Sequence, residues 1–396
     1  MKVPAASDLK ARIQALEAAA PLLEQLAAAP GVYLVGGAVR DLLLGDAPLD
    51  LDIVVERDPA EVVALLDGEV QTYDRFGTAT VRVGGHTYDI ARARRERYPA
   101  PGALPDVEPA SLDEDLRRRD FTVNAAAIEF ASGELRAVPE SLEDLEARVL
   151  RVLHDRSFID DPTRLLRLAR YSARLGFGVE QRTRELVANA AAGLALGTVS
   201  GPRIGAELRL AAREPDPVAV FDRLTELDVD TGFGAIEPAL GHRAFDLLPP
   251  DGDRAATALA LAARTTEPGE LAELLDTLAF EAPERIRIVA AATRASALAA
   301  ELELATSPAQ IATAVAGAGP EVVAVAGALG PARAARDWLQ TLRHVRLEID
   351  GSDLLAAGVP EGPAVGRGLR AALAAKLDGR VAGHDAELAE ALNGAR

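Results

Sequence analysis

The sequence predicts an α+β protein in which a mixed β-sheet flanked by helices is followed by an all-helical region. Short strand patterns alternate with helical patterns early in the chain, with strands predicted at 32–35, 51–55, 69–73, 78–83, 86–91 and 123–130. From about residue 142 onward the sequence is alanine-rich and almost wholly helical in its periodicity. We expect a helical segment, an α/β domain and three helical domains, at 1–30, 31–138, 139–200, 201–300 and 301–396.

Turn and capping residues mark the boundaries of the early elements. Helices are predicted at 7–29 with an interruption at Pro21, at 37–44, at 59–67 and at 111–119, and a proline-rich loop at 98–110. Asp58 and Pro59 open the third of these helices as N-cap and first-turn proline. Gly84 and Gly85 join two β runs as a two-residue turn, which predicts a hairpin.

Composition excludes several classes of protein. The chain has 396 residues, of which 49% are hydrophobic, enough for two or more globular domains. Its lack of cysteine excludes disulfides, thiolate zinc sites and thiol catalysis, and five scattered histidines leave oxygen atoms as the ligands for any metal. No apolar run is long enough to span a bilayer, and residues 1–5 lack the regions of a signal peptide. We therefore expect a cytoplasmic protein.

The charge distribution is more informative than the net charge of −18, which is unusual for a protein that binds nucleic acid. Residues 148–184 contain nine arginines and four acidic residues, a local excess of five positive charges. This basic strip provides a confined surface for phosphate groups within an acidic chain.

A glycine pair between a buried strand and a helix predicts a phosphate-binding turn. Gly36 and Gly37 follow the apolar run 32–35, and glycine lets backbone N–H groups approach a phosphate closely. Arg40 lies about one turn into the following helix, where its guanidinium can face the same anion. An ordinary strand-to-helix turn is the alternative interpretation of the glycine pair alone.

Carboxylates on two predicted strands indicate a metal site. Asp50 and Asp52 alternate at the start of one strand, so both point to the same face, and their repulsion favours a cation such as Mg²⁺ between them. Asp89 on the second arm of the hairpin is the candidate third carboxylate. The alternatives are a solvated strand edge for the first two and pairing with Arg92 or Arg94 for the third.

The run of arginines at 117–119 leads through Asp120 into an apolar strand pattern. Such a run is often a solvated helix face. The change of character at Asp120 places Arg119 at a strand end instead, facing the cleft where open sheets bind ligands.

The helix that begins near Asp161 carries a stripe of positive charge. Asp160 and Asp161 precede a first-turn proline, so capping is one interpretation of both. At about 100° per residue, four arginines share an arc of about 120°, opposite a face of leucine and alanine: Arg164, Arg167, Arg170 and Arg174. The helix has too few carboxylates to neutralise them, so the stripe is expected to bind phosphates or base edges.

Assembled in this order, these motifs resemble the bacterial branch of the tRNA nucleotidyltransferase and poly(A) polymerase family, the class II CCA-adding enzymes. The resemblance covers about residues 30–180. It implies that 31–138 is a nucleotidyltransferase head and 139–200 a helical neck that recognises the base. It further implies that 201–300 is a helical body and 301–396 a helical tail that binds tRNA.

The resemblance also implies roles for individual residues. Those that bind the triphosphate are Gly36, Gly37 and Arg40, and those of the catalytic metal centre are Asp50 and Asp52 as metal ligands with Asp89 as third carboxylate. Those that contact the incoming nucleotide and its ribose are Arg119 and Asp120. Those that read the base, or lie near the nucleotide and its phosphates, are Asp161 and Arg164, then Arg167 and Arg170.

The implied reaction is attack of the tRNA 3′ hydroxyl on the α-phosphate of CTP or ATP, with two Mg²⁺ ions and release of pyrophosphate. At 137–141 the chain has Ala-Val-Pro-Glu-Ser, where the family usually has a glycine pair. Partial CC or A addition is therefore an alternative to full CCA addition. Poly(A) synthesis is another, because the catalytic motifs are shared across the family. A non-catalytic RNA-binding module and a nucleotidyltransferase acting on a small molecule are more distant ones.

Overall fold

The computed structural model describes residues 4–48, 50–73 and 78–396. The chain divides into two compact units. The first comprises Met1–Ser200 with Leu227–Val229, and the second comprises Gly201–Glu226 and Asp230–Arg396. All strands of the described residues lie in the first unit. Part of the segment 1–5, used above to argue against a signal peptide, lies outside the described residues.

Eleven strands are found in the described part of the first unit. They are β1 Val32–Val35, β2 Asp52–Val55, β3 Glu69–Tyr73, β4 Thr78–Val83, β5 His86–Arg92, β6 Arg94–Arg97, β7 Asp106–Pro109, β8 Ala126–Glu129, β9 Leu135–Ala137, β10 Val149–Leu150 and β11 Gly178–Val179. Seven form a mixed sheet in the order β3-β4-β5-β2-β1-β8-β9, in which only β2 and β5 are parallel neighbours. The pairs β6–β7 and β10–β11 form two small sheets.

The helices of the first unit lie before, between and after these strands. They are α1 Ala6–Gln14, α2 Ala20–Leu26, α3 Gly37–Leu44, α4 Pro59–Val63, α5 Leu112–Arg117, α6 Ser141–Ala147, α7 Ser157–Asp160, α8 Thr163–Leu175 and α9 Gln181–Ala192. Single 3₁₀ turns occur at Glu17–Ala19, Thr122–Asn124 and Ala195–Thr198.

The second unit is helical throughout its described residues. Its helices are α10 Gly201–Arg213, α11 Pro217–Glu226, α12 Pro238–Leu247, α13 Arg254–Ala262, α14 Pro268–Thr277, α15 Ala282–Leu304, α16 Pro308–Ala314, α17 Pro320–Leu329, α18 Ala332–Gln340, α19 Gly351–Ala356, α20 Pro363–Leu377 and α21 His384–Ala395, with a 3₁₀ turn at Leu342–His344. Within the described residues, no helix combines the length and apolarity needed to cross a membrane. The α+β prediction, with its change to helix, is confirmed.

Burial explains why the central strands are continuous apolar runs. All four residues of β1 are buried, because the strand lies between β2 and β8 and is covered on both faces. On one face, Leu112 and Leu116 of α5 join a core cluster with Tyr33, Val35 and Val54. This packing fixes α5, and the arginines that follow it, against the middle of the sheet.

Several local predictions are confirmed. Val83 pairs with His86 across a turn whose two glycines, Gly84 and Gly85, have φ of 58° and 88°. Positive φ at both turn positions is the geometry that a two-residue hairpin turn requires. Asp58 caps α4, since its carboxylate accepts the N–H of Ala60 at 2.9 Å.

Other predictions are wrong in their detail. Pro21 lies in the first turn of α2 instead of interrupting a helix, because the chain has already broken between Gln14 and Glu17. The expected loop at 98–110 contains β7, which pairs with the unpredicted β6. The helix expected at 59–67 ends at Val63. The strand expected at 123–130 begins as a 3₁₀ turn and becomes extended only at β8.

Candidate active site

The glycine turn after β1 is crowded by two charged side chains. Gly36 is the N-cap of α3, with φ of 70° and ψ of −132°. A Cβ atom at this position would lie 2.8 Å from Arg119 Nη1 and 3.9 Å from Asp52 Oδ2. Both the backbone conformation and the available space therefore require glycine. The turn brings a guanidinium and a carboxylate to the N-terminus of a helix, a position that favours anions.

Strand register brings two of the predicted carboxylates side by side. Asp52 opens β2 and pairs with Asp89 of the parallel neighbour β5, while on its other side it pairs with Val35. The hydroxyl of Thr80 donates to Asp89 Oδ1 at 2.6 Å. The alternative considered above was an ion pair of Asp89 with Arg92 or Arg94. The structure instead shows the contact with Thr80.

Electrostatic coupling links the carboxylates to one another and to Arg119. Partial desolvation by the surrounding protein raises the pKa of Asp52, although its side chain reaches solvent. The positive charge of Arg119 opposes this rise, and the negative charges of Asp50 and Asp89 add to it. The raised pKa of Asp52 is therefore due first to desolvation, and repulsion from the two other carboxylates is a smaller contribution.

The donor chemistry at this edge of the sheet fits a hard divalent cation, because Asp50 and Asp52 offer carboxylate oxygens under mutual repulsion. Across the ranges that the structure describes, however, no three or more His, Asp or Glu side chains are gathered as a ready cation site. The expected group of three carboxylates is therefore not preassembled. Strand pairing fixes the backbone positions of Asp52 and Asp89 but not the convergence of their side chains.

Arg40 is engaged with the protein, in contrast to the expectation that its guanidinium faces an anion. Only 2% of the residue is exposed. Its Nε donates to Asp41 Oδ1 at 2.8 Å, and its Nη1 donates to Asn124 Oδ1 at 2.7 Å. A buried guanidinium needs such partners because desolvating an unpaired charge is costly. Arg40 thereby ties α3, behind the glycine turn, to the segment after Asp120.

Asp120 is the centre of a buried polar network. Its Oδ1 accepts the N–H of Phe121 at 2.8 Å and Nδ2 of Asn124 at 3.0 Å, and its Oδ2 pairs with Arg167 Nη2 at 2.7 Å. Burial acts to raise the pKa of Asp120, but Arg167 and Asn124 outweigh it and the pKa is lowered. The carboxylate therefore remains ionised and links the α5–β8 connection to α8.

The first turn of α8 combines capping with a buried arginine. Asp161 Oδ1 accepts from the backbone N–H and the hydroxyl of Thr163, at 3.2 and 2.6 Å, so the capping interpretation is correct for this residue. Arg164 donates from Nη1 to Ser157 Oγ at 2.5 Å and from Nη2 to the carbonyl of Arg118 at 2.7 Å. Its buried Nε has no hydrogen-bond partner and lies 4.0 Å from Asp161 Oδ2.

The helical arc predicted that the four arginines of α8 share one face that binds phosphates or base edges. In the structure these four residues do not form one exposed stripe. Arg164 and Arg170 are buried, Arg167 is half-buried, and Arg174 alone of the four is exposed. The sequence prediction missed that α8 is enclosed on this face too, so that Asp120, from another part of the chain, supplies a counter-charge.

The ring of Tyr171 lies close to two arginines of α8 and to Arg40. The Cζ atoms of Arg40, Arg170 and Arg174 lie 5.8, 5.8 and 5.1 Å from the ring centroid of Tyr171. The Tyr171 and Phe121 rings are nearly perpendicular, with centroids 5.9 Å apart. Cation–π attraction at these distances stabilises cations that lie close together.

Sequence reasoning missed four residues that hold the site together: Asp115, Asn124, Ser157 and Tyr171. One of them left a readable signal. Asp115 precedes Arg118 and Arg119 by three and four positions, the spacing at which helix neighbours pair. The other three act across the fold, and no local pattern marks them.

The segment at 137–141 adopts its turn without glycine. β9 ends at Ala137, α6 begins at Ser141, and Glu140 before it has a φ of 64°. This left-handed conformation is strained for a residue with a Cβ. The hydroxyl oxygen of Ser141 is buried without a hydrogen-bond partner.

Comparison with known proteins points to one family. A family model described as the poly A polymerase head domain matches residues 32–151. The CC-adding tRNA nucleotidyltransferase of Deinococcus radiodurans is 36% identical over 363 residues, which cover 89% of this chain and 87% of that protein. The structure of the Thermotoga maritima CCA-adding enzyme complexed with tRNA is similar with a TM-score of 0.78 and 29% identity, and the match covers 99% of both chains.

Relatives named A-adding tRNA nucleotidyltransferases match a shorter part of the chain. The A-adding tRNA nucleotidyltransferase of Halalkalibacterium halodurans is 42% identical over 208 residues, or 50% of this chain. The chain spans only 49% of that protein and 23% of two other A-adding relatives.

The sheet and its flanking helices therefore include a head domain of the poly A polymerase type. Because the Deinococcus relative matches along nearly its whole length, the chain belongs to the tRNA nucleotidyltransferase family. The resemblance found in the sequence is confirmed.

Proposed function

We propose that this protein is a cytoplasmic enzyme that adds C, C and A to tRNA 3′ ends from CTP and ATP and releases pyrophosphate. The observation that carries the proposal is the approach of Arg119 Nη1 and Asp52 Oδ2 to Gly36 at the N-terminus of α3. This arrangement sets a phosphate-binding cation beside a metal-binding carboxylate. Related CCA-adding enzymes have been solved with ATP, with CTP and with tRNA, which supports these substrates.

The catalytic end of the site has the chemistry for phosphoryl transfer. Asp50 and Asp52 would hold Mg²⁺, with Asp89 as the adjoining carboxylate. Mg²⁺ supplies activation of the attacking hydroxyl and neutralisation of phosphate charge. The backbone N–H of Gly37 would bind a phosphate oxygen at the start of α3, whereas that of Gly36 donates to the carbonyl of Ala126 at 3.1 Å and shapes the turn. Arg40 keeps this helix in place through Asn124.

The other end of the site selects the nucleotide. Arg119 reaches the phosphates and ribose, and Asp120 fixes the adjoining backbone. Asp161 and Arg164 place a carboxylate oxygen and a buried guanidinium Nε 4.0 Å apart, and this Nε would have to become accessible for the pair to meet a base. Such a pair satisfies the Watson–Crick edge of cytosine and, after a shift, of adenine, and it leaves guanine or uracil mispaired. Arg167 and Arg170 would lie near the nucleotide and its phosphates on the same helix, where Arg167 pairs with Asp120 and Arg170 lies over the Tyr171 ring.

The first test replaces the central carboxylate. Asp52→Ala is expected to lower nucleotide addition at least about a hundredfold while tRNA affinity stays within about twofold, because charge stabilisation at the reacting phosphate is lost but the tRNA-binding surface is not. Filter binding and gel assays of tRNA extension measure the two quantities. Asp113→Ala, at a half-exposed carboxylate that pairs with Arg136, is the matched control. Full turnover by the Asp52 variant would contradict the assignment.

A second candidate function is addition of CC alone. It is favoured by the near full-length similarity to a CC-adding enzyme and by the missing glycines at 137–141. tRNA without its 3′ end, and tRNA ending in CC, should be incubated with CTP, with ATP and with both. Addition of the final A identifies a CCA-adding enzyme, and a stop after CC identifies the second candidate. Long runs of A from ATP alone would indicate a poly(A) polymerase, and no Mg²⁺-dependent turnover a non-catalytic module.

A further inference from the structure

The structure assigns to Asp115 the role of a positioning residue that fixes two arginines of the nucleotide site at once. Asp115 touches neither the glycine turn nor the carboxylates, and it acts through Arg118 and Arg119. This inference rests on the proposed function, because it concerns how that site binds a nucleoside triphosphate.

The carboxylate of Asp115 accepts hydrogen bonds from three arginine residues. Its side chain is fully buried near the end of α5. Oδ1 accepts from Nε and Nη2 of Arg118 at 2.9 and 2.8 Å, and also from the backbone N–H of Arg94 at 3.2 Å. Oδ2 accepts from Nη2 of Arg119 at 3.0 Å. Both oxygens are therefore used, and each holds a different arginine.

Arg119 connects Asp115 to the phosphate-binding end of the proposed site. With Nη2 held by Asp115, the guanidinium directs Nη1 to within 2.8 Å of the position that a Cβ on Gly36 would occupy. The buried Nε of Arg119 has no hydrogen-bond partner of its own. The contact with Asp115 thus sets the orientation of this guanidinium.

Arg118 connects Asp115 to the base-reading end of the proposed site. Arg118 is clamped by Asp115 on one side and by Glu96 on the other, where its Nη1 donates to Oε1 at 2.8 Å. The backbone carbonyl of Arg118 in turn accepts from Nη2 of Arg164 at 2.7 Å. A displacement of Arg118 would therefore move an anchor of the arginine proposed to read the base.

Charge explains why a carboxylate is required at this position. Arg118 and Arg119 are adjacent in sequence, and their guanidiniums repel one another unless an anion lies between them. Burial acts to raise the pKa of Asp115, but the two arginines outweigh it and the pKa is lowered, so the group is ionised. A neutral amide of the same shape keeps the packing and removes the attraction.

The test compares Asp115→Asn with Asp113→Asn, which changes a half-exposed carboxylate on the same helix. We expect the Kd of CTP, measured by calorimetry, and the KM for CTP in tRNA extension to rise roughly tenfold to a hundredfold in the Asp115 variant. The KM for tRNA and the values for Asp113→Asn should stay within about twofold. In a double-mutant cycle with Arg119→Gln, the two effects on CTP binding should be less than additive.

Unchanged CTP affinity in folded Asp115→Asn, or full additivity with Arg119→Gln, would overturn the inference. If Asp115→Asn does not fold, Asp115→Glu decides: a raised CTP Kd at an unchanged melting temperature supports the role, and an unchanged Kd refutes it. If the wild-type protein binds CTP but never extends tRNA, the proposed function is wrong. The role of Asp115 is then still tested by the Kd of CTP. Wild-type protein that binds no nucleoside triphosphate would remove both.

Discussion

At the scale of single residues, the site is held by buried charges that satisfy one another. Arg40, Asp120 and Arg164 are each at most 4% exposed, and each is bonded to groups distant in sequence. Such networks stabilise one arrangement of the side chains, since a partly satisfied network in a low-dielectric interior is costly. The side chains of the proposed nucleotide site are therefore already oriented by the protein, which would reduce the reorganisation that binding and reaction require.

Gly36→Ala tests the crowding of the glycine turn. The new Cβ would meet Arg119 Nη1 at 2.8 Å and adopt a φ of 70°, so we expect nucleotide addition to fall by more than about tenfold. Gly45→Ala is the matched control, because Gly45 has a φ of 93° and open space around it. It should lower the free energy of unfolding by about 1 kcal/mol without altering the KM for CTP. Equal activity loss in both variants would show that backbone strain alone is responsible.

Asp120→Asn tests the buried network through pH. The folded-state pKa of Asp120 is lowered, so its stabilisation is fully present above the unfolded pKa of about 3.9 and is lost as pH falls through the folded value. The variant should lower the free energy of unfolding by about 3 kcal/mol at pH 7, because Arg167 loses its buried partner. Denaturant unfolding at a series of pH values should show this difference shrinking below about pH 3.9. A difference that is constant with pH would exclude linkage to this carboxylate.

At the scale of elements, α5 determines the position of several binding groups. Ser111 and Glu114 form a capping box at its start, and Glu56 Oε1 accepts the N–H of Leu112 at 2.8 Å. The helix is short, with only Leu112–Arg117 in helical conformation, so its caps contribute a large part of its stability. The two arginines that follow depend on this short helix for their direction.

Ser111→Ala tests that dependence. Loss of the cap should lower the free energy of unfolding by about 1 kcal/mol and increase amide hydrogen exchange in α5. Because α5 carries Asp115, the KM for CTP should rise severalfold as well. Ser307→Ala removes a serine cap from α16 in the second unit and serves as the comparison. It should reduce stability similarly and leave the KM for CTP unchanged.

Element prediction succeeded where local chemistry dictates conformation. The hairpin at Gly84-Gly85 and the cap at Asp58 follow from turn and capping residues alone. It failed for β6 and β7, because these strands stabilise each other by pairing and have no apolar face. It also failed for the exposure of α8, since the charges that neutralise its arginines lie on other elements.

At the scale of the whole molecule, an acidic chain is proposed to bind an acidic polymer. The net charge of −18 opposes association with tRNA at long range, so the local surplus of arginines at 148–184 and further basic residues must provide the attraction. The exposed Arg174 belongs to this strip.

The salt dependence of tRNA binding tests this balance. Contacts with phosphates release counterions, so tRNA affinity should fall at least about tenfold between 50 and 200 mM salt, as measured by filter binding. Arg174→Gln should make the plot of log affinity against log salt concentration less steep by about one unit or less. Affinity that does not respond to salt would contradict phosphate recognition by arginine. Asp113→Asn is a suitable control, since it lies outside the strip.

The sequence by itself determined the local conformations and the chemical types of the site: the glycine turn after β1, the alternation of Asp50 and Asp52, and the arginines of α8. Tertiary structure alone decided that Asp52 pairs with Asp89, that Arg119 reaches Gly36, and that Arg40 and Arg164 are buried. The physical reason is the sequence separation over which each kind of interaction acts. Turns, caps and periodicity depend on neighbours within a few positions, whereas strand order and burial depend on residues such as Arg40 and Asn124, 84 positions apart.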